Sequence, residues 1–315
     1  MSMSWKKAVA HFVVLSQKYF RELIMLSVFS EIGELKKVLV HSPGPEVDQM
    51  PPSLMDKLLF DDLLYGPKAR EEHSHFCKVM SMLGVQVVDL QTLFEESAIA
   101  EPKEFRGMVD RIISFERLSS EAAKRLVEMD ERTLAKHLIQ GLMVQQKDMA
   151  PDRIYSLIPV PNLLFARDPQ IVLGDKIVFS AMKENARKRE PMISSFAFQH
   201  HPDFKGCNVL MDTSRRGLDR GFVKFGSGTI EGGDVLVLNE GVILVGISDR
   251  TTEFGAELLI QSLRKDKQFH TVILVPMPSS RAQMHLDTIF TRLSQDECLI
   301  YSPMIAGGSS ETLSA

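Results

Sequence analysis

The apolar positions of this chain change period several times, and each change predicts an element. Residues 35–40 (LKKVLV) form a short apolar run stopped by Ser42-Pro43-Gly44-Pro45, as a strand running into a turn would. Tyr65-Gly66-Pro67 opens a helix, because a proline in the first turn gives up only an N–H that has no helical partner. The helical pattern reaches Leu83, and Gly84 can take the left-handed backbone that ends a helix. Residues 85–90 (VQVVDL) read as a second strand. Through 91–150, Leu, Met, Ala, Glu, Lys and Arg recur at helical spacing, in segments near 103–115, 119–129 and 131–143. Ser119 or Ser120 is the N-cap of the second segment. This stretch reads as a helical insert on an α/β body; filler and a dimer surface are its two readings, so a homo-oligomer stays open.

From residue 160 onward the pattern repeats. Three stretches share one plan: an acid, an apolar strand, a tight polar turn and a second apolar strand. They begin at Asp168 (PQIVL, then IVFSA), at Asp234 (VLVL, then VILVGIS) and at Asp287 (TIFTRL, then CLIYS). Their turns, Gly174-Asp175, Asn239-Glu240-Gly241 and Ser294-Gln295-Asp296, have hairpin chemistry. After the second hairpin the pattern predicts a helix over 251–265 and a strand over 271–275, giving a strand-strand-helix-strand unit. The interval between the acids is that of a repeated supersecondary module. Arranged radially, such modules would aim their leading acids at a common centre.

Composition narrows the class of function. Hydrophobic residues make up 44% and charged residues 25% of the 315, enough for a sizeable core, and the net charge of −4 gives no nucleic-acid footprint. Three cysteines, none in a CxxC pair, fit a reducing cytoplasm better than a disulfide scaffold. No apolar run reaches the roughly 18 residues a membrane helix needs. The first residues carry two lysines and a short apolar stretch over 8–15, but no small-residue cleavage site. We read 1–26 as an amphipathic extension, with Met25 opening the protein proper.

Near the repeated acids lie Glu231-Gly232-Gly233-Asp234 and Met284-His285-Leu286-Asp287. Residues two apart on a strand share a face, so His285 and Asp287 are expected to project together. Gly232 and Gly233 would let the backbone bend and bring Glu231 inward. Converging Asp168, Glu231, His285 and Asp287 would make an acidic pocket that calls for a cation. A guanidinium suits it, since carboxylates accept its forked N–H groups; a divalent metal is the competing occupant. The local spacing matches no metal motif, which favours the guanidinium and no cofactor.

FARDP (165–169), NARKRE (185–190), IEGGD (230–234), GISDRT (246–251) and MHLD (284–287) resemble, in order and approximate spacing, the arginine deiminases. Residues 27–44 and 58–76 are similar to that family's opening. The resemblance implies a pentein fold, an α/β propeller of pseudo-repeated ββαβ modules over 27–315, with a helical subdomain inserted at 91–150 and an incomplete last module. It implies that Asp168 and Asp287 grip the guanidinium of L-arginine, and that His285 is the general acid and base with Glu231 orienting it. It implies further that Asn162, Arg187 and Arg250 hold the amino-acid end and that Phe165 packs on the aliphatic stem. The reaction would be thiolate attack on the guanidinium carbon, loss of ammonia, and hydrolysis of the amidino intermediate to citrulline. An amidinotransferase, which passes the amidino group to an amine, is the related alternative.

One element of the resemblance is not matched. The family's nucleophilic cysteine lies in a glycine-rich C-terminal motif, whereas this chain ends MIAGGSSETLSA. Cys77, one helical turn from His73, reads at most as half of a metal pair; Cys207 precedes a strand; Cys298 reads as packed core. None shows a reason for the lowered pKa and access a nucleophile needs. A truncated frame, a continuation on another polypeptide and a silent arginine-binding relative are the three expectations that follow.

Overall fold

The computed structural model describes residues 26–145, 154–214 and 228–305. The expectations for residues 1–25 and 306–315 lie outside the described residues. Strand β1 (Lys37–Val40) pairs in parallel with β2 (Gln86–Asp89), Lys37 opposite Gln86, and helix α1 (Gly66–Met82) makes the crossover. Gly84 ends that crossover at φ 86°, a conformation that costs glycine little. Val40, Met80 and Val85 close a small core beneath α1.

The expected second strand is cut short at Asp89. Its carboxylate accepts the Thr92 backbone N–H at 3.1 Å and starts helix α2 (Leu90–Ala100) at once. The run VVDLQTLF suits either period, and the N-cap decides it. Helices α3 (Pro102–Glu116), α4 (Ser120–Val127) and α5 (Glu131–Gln140) follow, with Ser119 and Asp130 as N-caps for the last two. Their apolar faces pack into one core with helix α6 (Glu190–His200), where Phe94, Phe105 and Phe196 meet edge to face or tilted. Strands β3 (Leu142–Met143) and β4 (Tyr155–Leu157) form a short antiparallel pair beside it.

Two three-stranded sheets carry the rest. In the first, β5 (Gln170–Leu173) and β6 (Lys176–Phe179) form a hairpin around Gly174, at φ 59°. After α6, β7 (Asn208–Asp212) returns parallel to β6. In the second, β8 (Val235–Asn239) and β9 (Val242–Ile247) form the hairpin, helix α7 (Glu253–Asp266) crosses over, and β10 (Thr271–Pro276) pairs in parallel with β9. The two sheets therefore share one order of strand, strand, helix and strand, with the helix and last strand expected after the second hairpin in place. Their inner faces meet in a second core built on Ile171, Val178, Val235, Ile243, Val245 and Leu259. A last hairpin pairs β11 (Phe290–Arg292) with β12 (Cys298–Ile300).

Candidate functional site

The site forms where the three hairpins begin. Asp168 stands just before β5, Glu231 just before the turn that leads into β8, and His285 and Asp287 just before β11. His285 and Asp287 do not share a strand face as expected. His285 has extended backbone and caps the 3-10 turn Leu286–Thr288, which holds Asp287; the strand starts only at Phe290. The cause is local, because the Thr288 N–H and hydroxyl both bond back to the His285 carbonyl and curl the chain. His285 is buried, whereas the Asp287 side chain stays a third exposed.

The glycines do what the sequence suggests, by allowing close approach. A Cβ on Gly232 would lie 2.0 Å from the Arg167 carbonyl oxygen, and one on Gly233 would lie 2.7 Å from the His285 ring. The chain can thus press Glu231 inward against the histidine. Glu231 Oε2 lies 3.0 Å from His285 Nε2, while its Oε1 accepts the Lys183 N–H at 3.0 Å. Asp168 Oδ1 accepts the Gly233 N–H at 3.2 Å and lies 3.9 Å from His285 Nδ1. Burial alone would push the His285 pKa down, but the Glu231 hydrogen bond and the Asp168 charge outweigh it and carry it above the usual histidine value. Burial raises Asp287 above the usual carboxylate range, against the pull of His285 and Arg167.

Two arginines complete the pocket in different ways. Arg187 is buried, and its Nε and Nη2 form a fork onto both oxygens of the fully buried Glu190, at 2.8–3.1 Å. Its Nη1 donates to Asp168 Oδ2 at 2.8 Å, and Nη2 also reaches the Asn162 carbonyl at 3.2 Å. Burial opposes its charge, but Glu190 and Asp168 overcome that and hold its pKa above the ordinary arginine value. Arg250 is buried yet unsatisfied. Its Nε and Nη1 have no hydrogen-bond partner, with Asp249 and Glu231 each at 3.8 Å. It borders a cavity of about 260 Å³, together with Leu59, Glu184, Ser280 and Met284. Such an arginine is prepared to receive an anion.

Phe165 is 52% exposed, with the Arg187 guanidinium carbon 6.0 Å from its ring centroid. Asn162 is buried and donates its amide to the Leu58 carbonyl. All eight residues singled out from the sequence therefore lie around the hairpin starts or on the segments that face them. Among the described residues, no cluster of three or more His, Cys, Asp or Glu side chains is placed to hold a metal ion. Also among the described residues, no helix is long and apolar enough to cross a membrane.

The family profile described as arginine deiminase matches residues 56–314. This chain belongs to the arginine deiminase family. An arginine deiminase of Clostridium perfringens is 34% identical over 300 residues, covering 90% of this chain and 70% of that protein. One from Mycobacterium marinum is 34% identical over 291 residues, covering 88% and 69%. Among solved structures, SxtG, an amidinotransferase from Microseira wollei, superposes with a TM-score of 0.49 at 14% identity, over 87% of this chain and 69% of that one.

Membership in the arginine deiminase family directs attention to thiols. Cys77 Sγ lies 3.6 Å from His73 Nδ1, far along the chain from the pocket residues, and burial pushes its thiol pKa up. Cys207, half-buried near the Phe198 carbonyl, is also raised by burial. Cys298 corrects the sequence reading: at the start of β12 it is exposed, not packed core. Two contributors, Glu190 and Arg167, were not singled out from the sequence. Glu190 closes the NARKRE motif, where nothing in the sequence sets it apart from the neighbouring charges. Arg167, in FARDP, binds Glu31 with two N–H groups at 3.0 and 3.2 Å and faces Asp287 at 3.7 Å. Asp234, the leading acid of the second repeat, departs from the common centre expected of it: it is buried, with its carboxylate on the Leu286 N–H and the Ser248 hydroxyl.

Proposed function

We propose that this chain binds L-arginine, with Asp168 and Asp287 on the guanidinium and Arg250 and Arg187 on the carboxylate. In that reading Asn162 meets the amino end and Phe165 covers the aliphatic stem. The observation that carries it is the buried junction of Asp168, Glu231 and His285 beside an arginine with unmet N–H donors. A pocket with acids at one end and an unsatisfied guanidinium at the other is complementary to an amino acid with a cationic tail. His285, with its pKa raised by Glu231, is the proton donor and acceptor for conversion of arginine to citrulline and ammonia, the family's chemistry. The fold that goes with this reading is the pentein propeller, with 91–150 as its insert and the protein cytoplasmic.

The thiols support a second reading. Burial raises the thiol pKa of Cys77 and of Cys207, the reverse of what nucleophilic attack requires, and Cys298 is exposed on β12, which favours binding without turnover by these 315 residues. Calorimetry with L-arginine, followed by a citrulline and ammonia assay, separates the readings. Saturable heat with product supports the deiminase; heat without product supports the binder; no heat at all rejects both. Product only when an amine acceptor is added would point to amidino transfer.

A further inference from the structure

Asp234 is fully buried and both its oxygens are used. Oδ1 accepts the N–H of Leu286, the residue between His285 and Asp287, at 2.9 Å. Oδ2 accepts the Ser248 hydroxyl at 2.6 Å. That same hydroxyl accepts the backbone N–H groups of Arg250 at 2.9 Å and Thr251 at 3.0 Å. A serine oxygen has two lone pairs and one proton. Both lone pairs of Ser248 are taken by the Arg250 turn, so its proton needs an acceptor, and Asp234 supplies one. The seat is also sized for a carboxylate: a Cβ on Gly246 would lie 2.5 Å from Asp234 Oδ1. Thr251 extends the connection, its hydroxyl accepting the Glu231 N–H at 3.1 Å.

We propose that Asp234 is a positioning residue that locks the turn carrying His285 and Asp287 to the turn carrying Arg250. One buried carboxylate then sets the distance between the guanidinium end and the carboxylate end of the pocket. The proposal rests on the arginine-binding reading for its consequence, although the lock itself is a matter of hydrogen-bond polarity. Asparagine cannot replace it. Its single oxygen can serve Leu286 or Ser248, and its NH2 group then faces a donor. In Ser248→Ala the Leu286 bond survives, but the Arg250 and Thr251 N–H groups lose their hydroxyl acceptor and its link to Asp234.

The test uses the whole chain with Asp234→Asn and Ser248→Ala, titrated by calorimetry with L-arginine and with agmatine, which lacks the carboxylate. Asp234→Asn is expected to weaken both ligands by tenfold or more while keeping the wild-type circular dichroism. Ser248→Ala is expected to weaken arginine tenfold and to leave agmatine within twofold, a split that a general loss of structure would not give. Wild-type affinities in a folded Asp234→Asn, or equal losses for both ligands in Ser248→Ala, would overturn the proposal. If Asp234→Asn does not fold, the Ser248→Ala split decides. If wild type binds neither ligand, the arginine reading fails, and the lock is judged by the His285 imidazole resonances. Their displacement in Ser248→Ala or Asp234→Asn supports the lock, and unmoved resonances in both reject it.

Discussion

Replacing Glu231 with glutamine removes one charge while keeping the shape of the side chain, and the structure gives a direction for every consequence. The wild-type carboxylate is fully buried among three cationic or protonatable groups: His285 at 3.0 Å, Arg250 at 3.8 Å and Arg187 at 3.9 Å. Its other oxygen holds the Lys183 N–H. If the glutamine oxygen keeps that amide, its NH2 group faces His285 Nε2, which can then only accept. A hydrogen bond to a charged group is worth about 1.5–3 kcal/mol, so the His285 pKa should fall. The buried arginines lose a counter-charge as well, at a cost of about 3 kcal/mol, the low end for breaking a buried pair because the amide stays polar. In urea that loss lowers the unfolding midpoint by about 1 M or more. The assay is a proton NMR titration of the histidine ring protons in both proteins, with urea unfolding alongside. A histidine whose pKa is raised in the folded state contributes stability below the unfolded value of 6.5, lost as pH rises through the folded pKa. Glu231→Gln should flatten that dependence. An unchanged His285 midpoint would refute the assigned cause of the shift.

Three other outcomes follow from the same geometry. Gly233→Ala places a methyl group 2.7 Å from the His285 ring, so it should destabilise the fold by about 1–3 kcal/mol. It should also lower arginine affinity by about tenfold, near 1.4 kcal/mol, by calorimetry. Burial pushes the Asp234 carboxyl from 3.8 up to about 6, so between those values the folded state holds a proton that the unfolded state has lost. Stability should fall with rising pH across that window by about 3 kcal/mol, a slope missing in Asp234→Asn. Arginine binding near neutral pH should release protons, because a guanidinium beside His285 disfavours the imidazolium; titrations in buffers of different ionisation enthalpy would show no buffer dependence if this is wrong.

Much of the fold was legible because turn chemistry and periodicity agreed. The hairpins around Gly174 and Gly241 form where polar turns interrupt apolar runs, and both glycines take positive φ. Helix α2 was less legible, since Leu90 fits a strand until the Asp89 cap is seen. In the site, Asp168, Glu231 and His285 meet as their spacing suggests. The strand geometry expected for His285 and Asp287 failed because Thr288 curls the backbone. Glu190 could not be distinguished in sequence from a surface acid, and Asp234, expected to point at the common centre with Asp168 and Asp287, turns instead to Leu286 and Ser248. Their importance comes from burial, which only the assembled sheets create.

The pairing of Arg187 with Asp168 changes what affinity would measure in this pocket. The acid proposed to receive a ligand's guanidinium already holds one, supplied by the chain itself. An incoming guanidine must evict it, and gains only the difference between two similar ion pairs. A ligand that also brings a carboxylate offers Arg187 a new counterion as it leaves, so partners are exchanged at both ends and little charge is left stranded. Guanidinium ion or a simple alkylguanidine can complete only half of that exchange. Discrimination against the many small cationic guanidines would then come from an occupant already seated in the pocket, more than from its walls.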